Sequence, residues 1–154
     1  KNSTDLEPKH WDWTMNINAK APWLCAIKAS EIMPAGSSII NITSEGSRKV
    51  LPYYFSVGTS KAALEALTRY LAVELSSKGI NVNAVSGGFI ETDAFKSFPN
   101  EKNMVKAGQH NFGNRKMTAE DLANVVTFLC SKEAEMIKGQ IIIVDGGVTL
   151  THQI

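Results

Sequence analysis

Three short runs of β-branched residues, 38–43 (SIINIT), 80–85 (INVNAV) and 140–144 (QIIIV), are separated by long segments of helical pattern. Each run is nearly continuously apolar or bounded by Gly, as strands buried on both faces tend to be. Strands that alternate with helices make an α/β chain with a parallel sheet. At 154 residues, 44% of them hydrophobic, the chain is long enough for one domain with a sizeable core and too short for two ordinary ones.

The connecting segments have their own signals. Residues 9–33 read as helical and close at Gly36, with Pro22 inside. A proline in a regular helix interior costs roughly 3 kcal/mol, so a break or bend is expected near Ala21. The strongest helix spans about residues 56–77, where Leu64, Leu67, Leu71 and Leu75 form one stripe and Ala63, Ala66, Tyr70 and Val73 a second. A helix apolar on two faces needs two partners, the sheet and something else. Lys78 and Gly79 supply its stop. Thr118-Ala-Glu-Asp121 has the form of a capping box opening a helix to about Ser131. Between them, 93–117 is a long stretch of weak periodicity, the form of a functional lid or a disordered loop, in which Phe95, Phe98, Met104 and Phe112 suit either an acyl-chain cleft or core packing. Asp145-Gly146 reads as a turn.

Composition excludes several classes. Sixteen Lys and Arg against fifteen Asp and Glu leave a net charge of +1, without the basic footprint of a nucleic-acid or polybasic membrane binder. Cys25 and Cys130 are the two cysteines, and His10, His110 and His152 are widely spaced, so no disulfide scaffold or metal site is expected. A reducing cytoplasm fits. No apolar run approaches the eighteen residues of a membrane span, and residues 1–10 are polar, so neither a transmembrane helix nor a signal peptide is expected.

The residues with chemical potential cluster at the start of the long helix. Tyr54 and Lys61 are seven positions apart, which leaves them about 20° apart in azimuth and two turns along one face. An ammonium beside a phenol favours the phenolate and eases proton donation. Tyr53, eight positions from Lys61 and about 80° round, is the weaker candidate.

Ser44 after the strand, Tyr54, Ser60-Lys61-Ala-Ala-Leu64, Gly79-Ile-Asn-Val-Asn-Ala-Val85 and Val144-Asp-Gly-Gly147 occur in an order that resembles the C-terminal two-thirds of a short-chain dehydrogenase/reductase. Members of that family usually space Tyr-x3-Lys, and Val57 stands where that Tyr would be. The Tyr-x6-Lys spacing found here is similar to the family's enoyl-acyl-carrier-protein reductases. The segments MNINAKA (15–21), SVGTSKAALEALTRYLAVEL (56–75) and NAVSGGFIETDA (83–94) most resemble the bacterial FabL type.

That resemblance implies a Rossmann-type doubly wound parallel sheet, of which this chain would hold three strands and their helices. It implies NADPH as coenzyme and an enoyl-acyl-carrier-protein or enoyl-CoA substrate, reduced at its trans-2 double bond during fatty-acid elongation. Tyr54 would stabilise the enolate oxygen, Lys61 would hold the nicotinamide ribose, and Ser44 and Asn16 would complete the catalytic group. Gly87 and Gly88 would bring the backbone close to the cofactor, the Ile90 backbone would meet the carboxamide, and Thr92 the carboxamide or pyrophosphate. It also implies a homo-oligomer, a tetramer, with the second stripe of the long helix at the interface. A Gly-rich pyrophosphate turn ahead of Asn16 is missing, so the chain is expected to be a piece of a longer one. The alternatives are a ketone or 3-oxoacyl reductase of the same family, and a non-catalytic fragment or interface module.

Overall fold

Side-chain alternation along parallel strands assigns neighbouring residues to opposite faces of a sheet. The computed structural model describes residues 1–92 and 111–150. Within them β1 (Ser38–Ser44), β2 (Asn81–Gly87) and β3 (Ile141–Val144) pair in parallel in the order β1-β2-β3. The three predicted strands are therefore all present, and their C-terminal ends lie in one row, Ser44 opposite Gly87 and Gly87 opposite Val144.

Among the described residues there are four α-helices: α1 (Pro8–Met15), α2 (Ala21–Ser30), α3 (Phe55–Glu74) and α4 (Ala119–Leu129). One cluster joins α2 and α3 to β2 through Ala26, Leu71, Ala72, Leu75 and Val82. Val85, three positions on from Val82 and so on the opposite face, packs with Leu129, Leu122 and Ile142 under α4. Helices on both faces of a parallel sheet make the doubly wound α/β architecture. Each fully buried Leu or Val contributes about 1.5–3 kcal/mol relative to exposure.

The face of β1 towards α3 departs from the apolar pattern expected of a buried strand. Asn41 and Thr43 are buried there, and each is answered from the helix: Asn41 Nδ2 donates to Thr68 Oγ1 at 2.9 Å and Thr43 Oγ1 to Glu65 Oε1 at 3.0 Å. Polar residues on a buried face are tolerated when they are paired this way.

The expected break near Ala21 takes another form. Helix α1 passes into a π-turn, Asn16–Lys20, in which the Ala21 N–H donates to Asn16 O, five residues back. Pro22 then falls in the first turn of α2, where a missing N–H is tolerated. At the other end of the chain, the Thr118 N–H donates to Asp121 Oδ2 at 2.9 Å and opens α4 as its sequence predicts. The Asp145 carboxylate accepts from the N–H groups of Gly147 and Thr149, both at 2.8 Å, closing the predicted turn. Residues 93–110, the larger part of the expected lid with Phe95, Phe98 and Met104, lie outside the described residues; Phe112 is exposed.

Candidate active site at the strand ends

In an open parallel sheet the groups available for chemistry gather beyond the C-terminal ends of the strands. β1 ends at Ser44, whose Oγ accepts from the Gly46 N–H at 3.2 Å and so turns the chain into a short 3-10 segment, Glu45–Ser47. After Pro52, Tyr53 takes φ 60°, and Tyr54 occupies the cap position of α3, its carbonyl accepting from the Gly58 N–H at 2.7 Å. This returns the phenol to the strand end, with Tyr54 OH 3.2 Å from Ser44 Oγ.

Lys61, two turns into α3, points back to the same end of β1. Its Nζ donates to Ile42 O at 2.8 Å, and desolvation by burial lowers its pKa from the ordinary lysine value. An ammonium has three donors. One is engaged by Ile42, which leaves two for a vicinal diol such as a ribose. The donor set thus fits the nicotinamide end of a dinucleotide.

Two glycines allow this packing. A Cβ on Gly46 would come within 2.5 Å of the Tyr54 ring, and one on Gly58 within 2.5 Å of Gly46 O. The aromatic ring lies directly on the turn, and the turn lies directly on α3. Beside them is a cavity of about 470 Å³ lined by Gly46, Val50, Leu51, Tyr54, Phe55 and Ala62 among others.

The other sequence-derived candidates fare differently. Asn16 is exposed on the π-turn and does not join the group. Two residues on, and on the other side of the turn, Asn18 reaches the residue before Lys61: its Nδ2 donates to Ser60 Oγ at 3.0 Å, and Ser60, fully buried, donates to Val57 O at 2.7 Å. Asn18 is the amide that sequence reasoning missed. The spacing Trp11, Met15, Asn18, Pro22, Ala26 is a helical stripe on which Asn18 falls and Asn16 does not.

Gly87 and Gly88 lie one strand over from Ser44, and the Gly88 N–H donates to Val144 O at 2.8 Å. A side chain at either position would also meet the chain's own atoms. A Cβ on Gly87 would come within 2.7 Å of Leu122, and one on Gly88 within 2.8 Å of Asp145. The chain packs closely on itself at both positions. Ile90, half-buried, and Thr92, exposed, follow beyond the end of β2.

Comparison with known proteins agrees with this architecture. The family model described as Enoyl-(Acyl carrier protein) reductase matches residues 1–149. The chain is 37% identical over 153 residues to 1-cyclohexenylcarbonyl-CoA reductase of Streptomyces collinus, covering 97% of this chain and 55% of that protein. It is 36% identical over 135 residues to enoyl-acyl-carrier-protein reductase (NADH) 1 of Rhizobium meliloti, covering 87% of this chain and 50% of the other. The Bacillus cereus enoyl-acyl carrier protein reductase, solved with NADP+ and an indole naphthyridinone, superimposes with a TM-score of 0.92 at 29% identity, over 99% of this chain and 60% of that one. The chain spans about half the length of the curated relatives it matches. With its strand order, its strand-end serine, tyrosine and lysine and this match over nearly its whole length, the chain belongs to the enoyl-acyl-carrier-protein reductase family of the short-chain dehydrogenase/reductases.

Proposed function

We propose that the protein carrying this chain reduces the trans-2 double bond of enoyl thioesters, with enoyl-acyl-carrier-protein or enoyl-CoA as substrate, in fatty-acid elongation. The observation that carries the reading is the position of the phenol: Tyr54, not residue 57, is hydrogen-bonded to Ser44 at the strand end. When a ketone is reduced, the carbonyl carbon takes the hydride and its own oxygen needs the proton. In an enoyl thioester the β-carbon takes it, and negative charge gathers on an oxygen two carbons away. A donor displaced by three helical residues, about 4.5 Å along the axis, suits the second case.

A reduced nicotinamide cofactor, NADPH in our reading, supplies the hydride. Tyr54 donates a hydrogen bond to the thioester oxygen and stabilises charge that develops only as the enolate forms. Lys61 holds the ribose hydroxyls with its two remaining N–H groups and keeps the site positive. The cavity beside Tyr54, with Val50, Leu51 and Phe55 in its wall, takes the acyl chain. The relatives are divided on coenzyme, since the Rhizobium meliloti protein is named for NADH and the Bacillus cereus one holds NADP+. Comparing kcat/KM with the two coenzymes decides between them.

The same reading makes the protein a cytoplasmic homo-oligomer, a tetramer. Tyr70 and Val73, at the far end of the second stripe of α3, are 70% and 75% exposed, as a face awaiting a second copy would be. Cys25 and Cys130 are free and exposed, which suits a reducing compartment. No described helix is long and apolar enough to cross a membrane.

The test is the choice of substrate. The full-length protein with NADPH is expected to reduce crotonyl thioesters much faster than acetoacetyl thioesters. Equal or greater activity on the 3-oxo thioester would assign it to the ketone reductases instead, and no activity on either would point to a non-catalytic module.

A further inference from the structure

Glu65 lies one turn beyond Lys61 on α3, only 6% exposed, and no step of the proposed reaction uses it. A carboxylate taken from water costs free energy unless hydrogen bonds offset the loss. Here the donors are two hydroxyls on one oxygen: Thr43 Oγ1 at 3.0 Å and Ser47 Oγ at 2.5 Å from Oε1. Among the described residues Glu65 forms no ion pair. Two neutral donors are a weak reason, on stability alone, to keep a carboxyl group in that place.

What the carboxylate touches suggests another reason. Ser47 ends the turn that begins after Ser44, and its Oγ lies 2.8 Å from Ser44 O as well as against Glu65. The same turn carries Gly46, whose N–H donates to Ser44 Oγ. Ser44 Oγ lies 3.2 Å from the Tyr54 OH, and either hydroxyl can be the donor. The turn is closely packed, with the Tyr54 ring on Gly46 and Gly46 O on Gly58. If the turn shifts, the phenol shifts with it.

We propose that Glu65 is a positioning residue for Tyr54: by accepting from Ser47 it holds the Glu45–Ser47 turn at the height where Ser44 meets the phenol. The proposal rests on Tyr54 being the donor to the thioester oxygen. It does not make Glu65 the fastening of α3 to the sheet, since the Asn41–Thr68 bond and the cluster of Leu71, Leu75 and Val82 dock the helix independently.

Both hydroxyls use the same oxygen, so an amide oxygen in its place suffices. In the full-length protein, Glu65→Gln is expected to keep kcat for crotonyl thioester reduction within about 3-fold, while Glu65→Leu lowers it by about 10-fold or more with cofactor KM within about 2-fold. Ser47→Ala lowers kcat in the same way, and adding it to Glu65→Leu brings no further loss, as expected of residues acting through one link. A purely structural role would instead lower thermal stability without this split or this rescue. Uniform labelling of tyrosine at the ring carbon bearing oxygen gives a readout independent of turnover, with the Tyr54 resonance identified by its loss in Tyr54→Phe. That resonance is expected to move in Glu65→Leu and Ser47→Ala and to stay in Glu65→Gln. An unmoved Tyr54 resonance in Glu65→Leu, or in Ser47→Ala should the leucine variant fail to fold, overturns the proposal, as does a glutamine variant as impaired as the leucine one. If the wild-type protein does not reduce enoyl thioesters, the proposed reaction falls, and the resonance still decides whether Glu65 positions the phenol.

Discussion

Tyr53 holds φ 60° in the residue before the phenol. It is third in a turn closed by the Tyr54 N–H on Leu51 O at 3.2 Å, with Pro52 second, a place normally filled by Gly or Asn when φ is positive. A bulky side chain there costs about 1 kcal/mol. Tyr53→Asn is accordingly expected to raise the unfolding free energy of the protein by about 1 kcal/mol, read by denaturant melts; a lower midpoint would mean that Tyr53 packing outweighs its strain. At this scale the sequence was informative where periodicity reached and silent elsewhere. Tyr54 and Lys61 were legible because seven residues nearly complete two turns. The motif MNINAKA offers two amides, and the side of the helix that packs on Ser60 carries Asn18 rather than Asn16. Gly87 and Gly88 were legible as positions needing no side chain, but the neighbours responsible, Leu122 and Asp145, are 35 and 57 residues further along.

Helix α3 connects the site to the rest of the structure. Its sheet-facing side carries Leu64, Glu65, Thr68, Leu71 and Ala72, all buried, while Ala63 and Ala66 are half-buried and Tyr70 and Val73 exposed. The Leu stripe was plain in the sequence. Glu65 and Thr68 were not, because their partners Thr43 and Asn41 sit 22 and 27 residues away in a strand that reads as apolar. The π-turn at Asn16–Lys20 likewise left only the indirect sign of Pro22. The exposed end of the second stripe carries a prediction. Tyr70→Glu is expected to shift the full-length protein from oligomer to smaller species by sedimentation velocity, since burying an unpaired carboxylate at a helix interface is unfavourable. An unchanged oligomer, or a wild-type monomer, would remove α3 from the interface.

Across the whole molecule, a parallel three-stranded sheet with helices on both faces delivers Ser44, Tyr54 and Lys61 to one strand end although the last lies 17 positions beyond the first. The architecture was readable because strands and helices alternate so regularly. The expected lid over residues 93–117 shows in the sequence as a gap in periodicity, and its larger part lies outside the described residues. Lysine burial adds a pH dependence: a group whose folded pKa is lowered destabilises the fold while it is charged. The wild type is therefore expected to gain stability relative to Lys61→Met as pH rises from below the lowered pKa of Lys61 towards the ordinary lysine value. The most direct measurement concerns the phenol itself: the kcat of Tyr54→Phe with crotonyl thioester and saturating coenzyme, in the full-length protein. If Tyr54 stabilises the enolate, kcat falls by about 10²-fold or more while coenzyme KM holds. A wild-type rate in Tyr54→Phe would show that another group stabilises that charge.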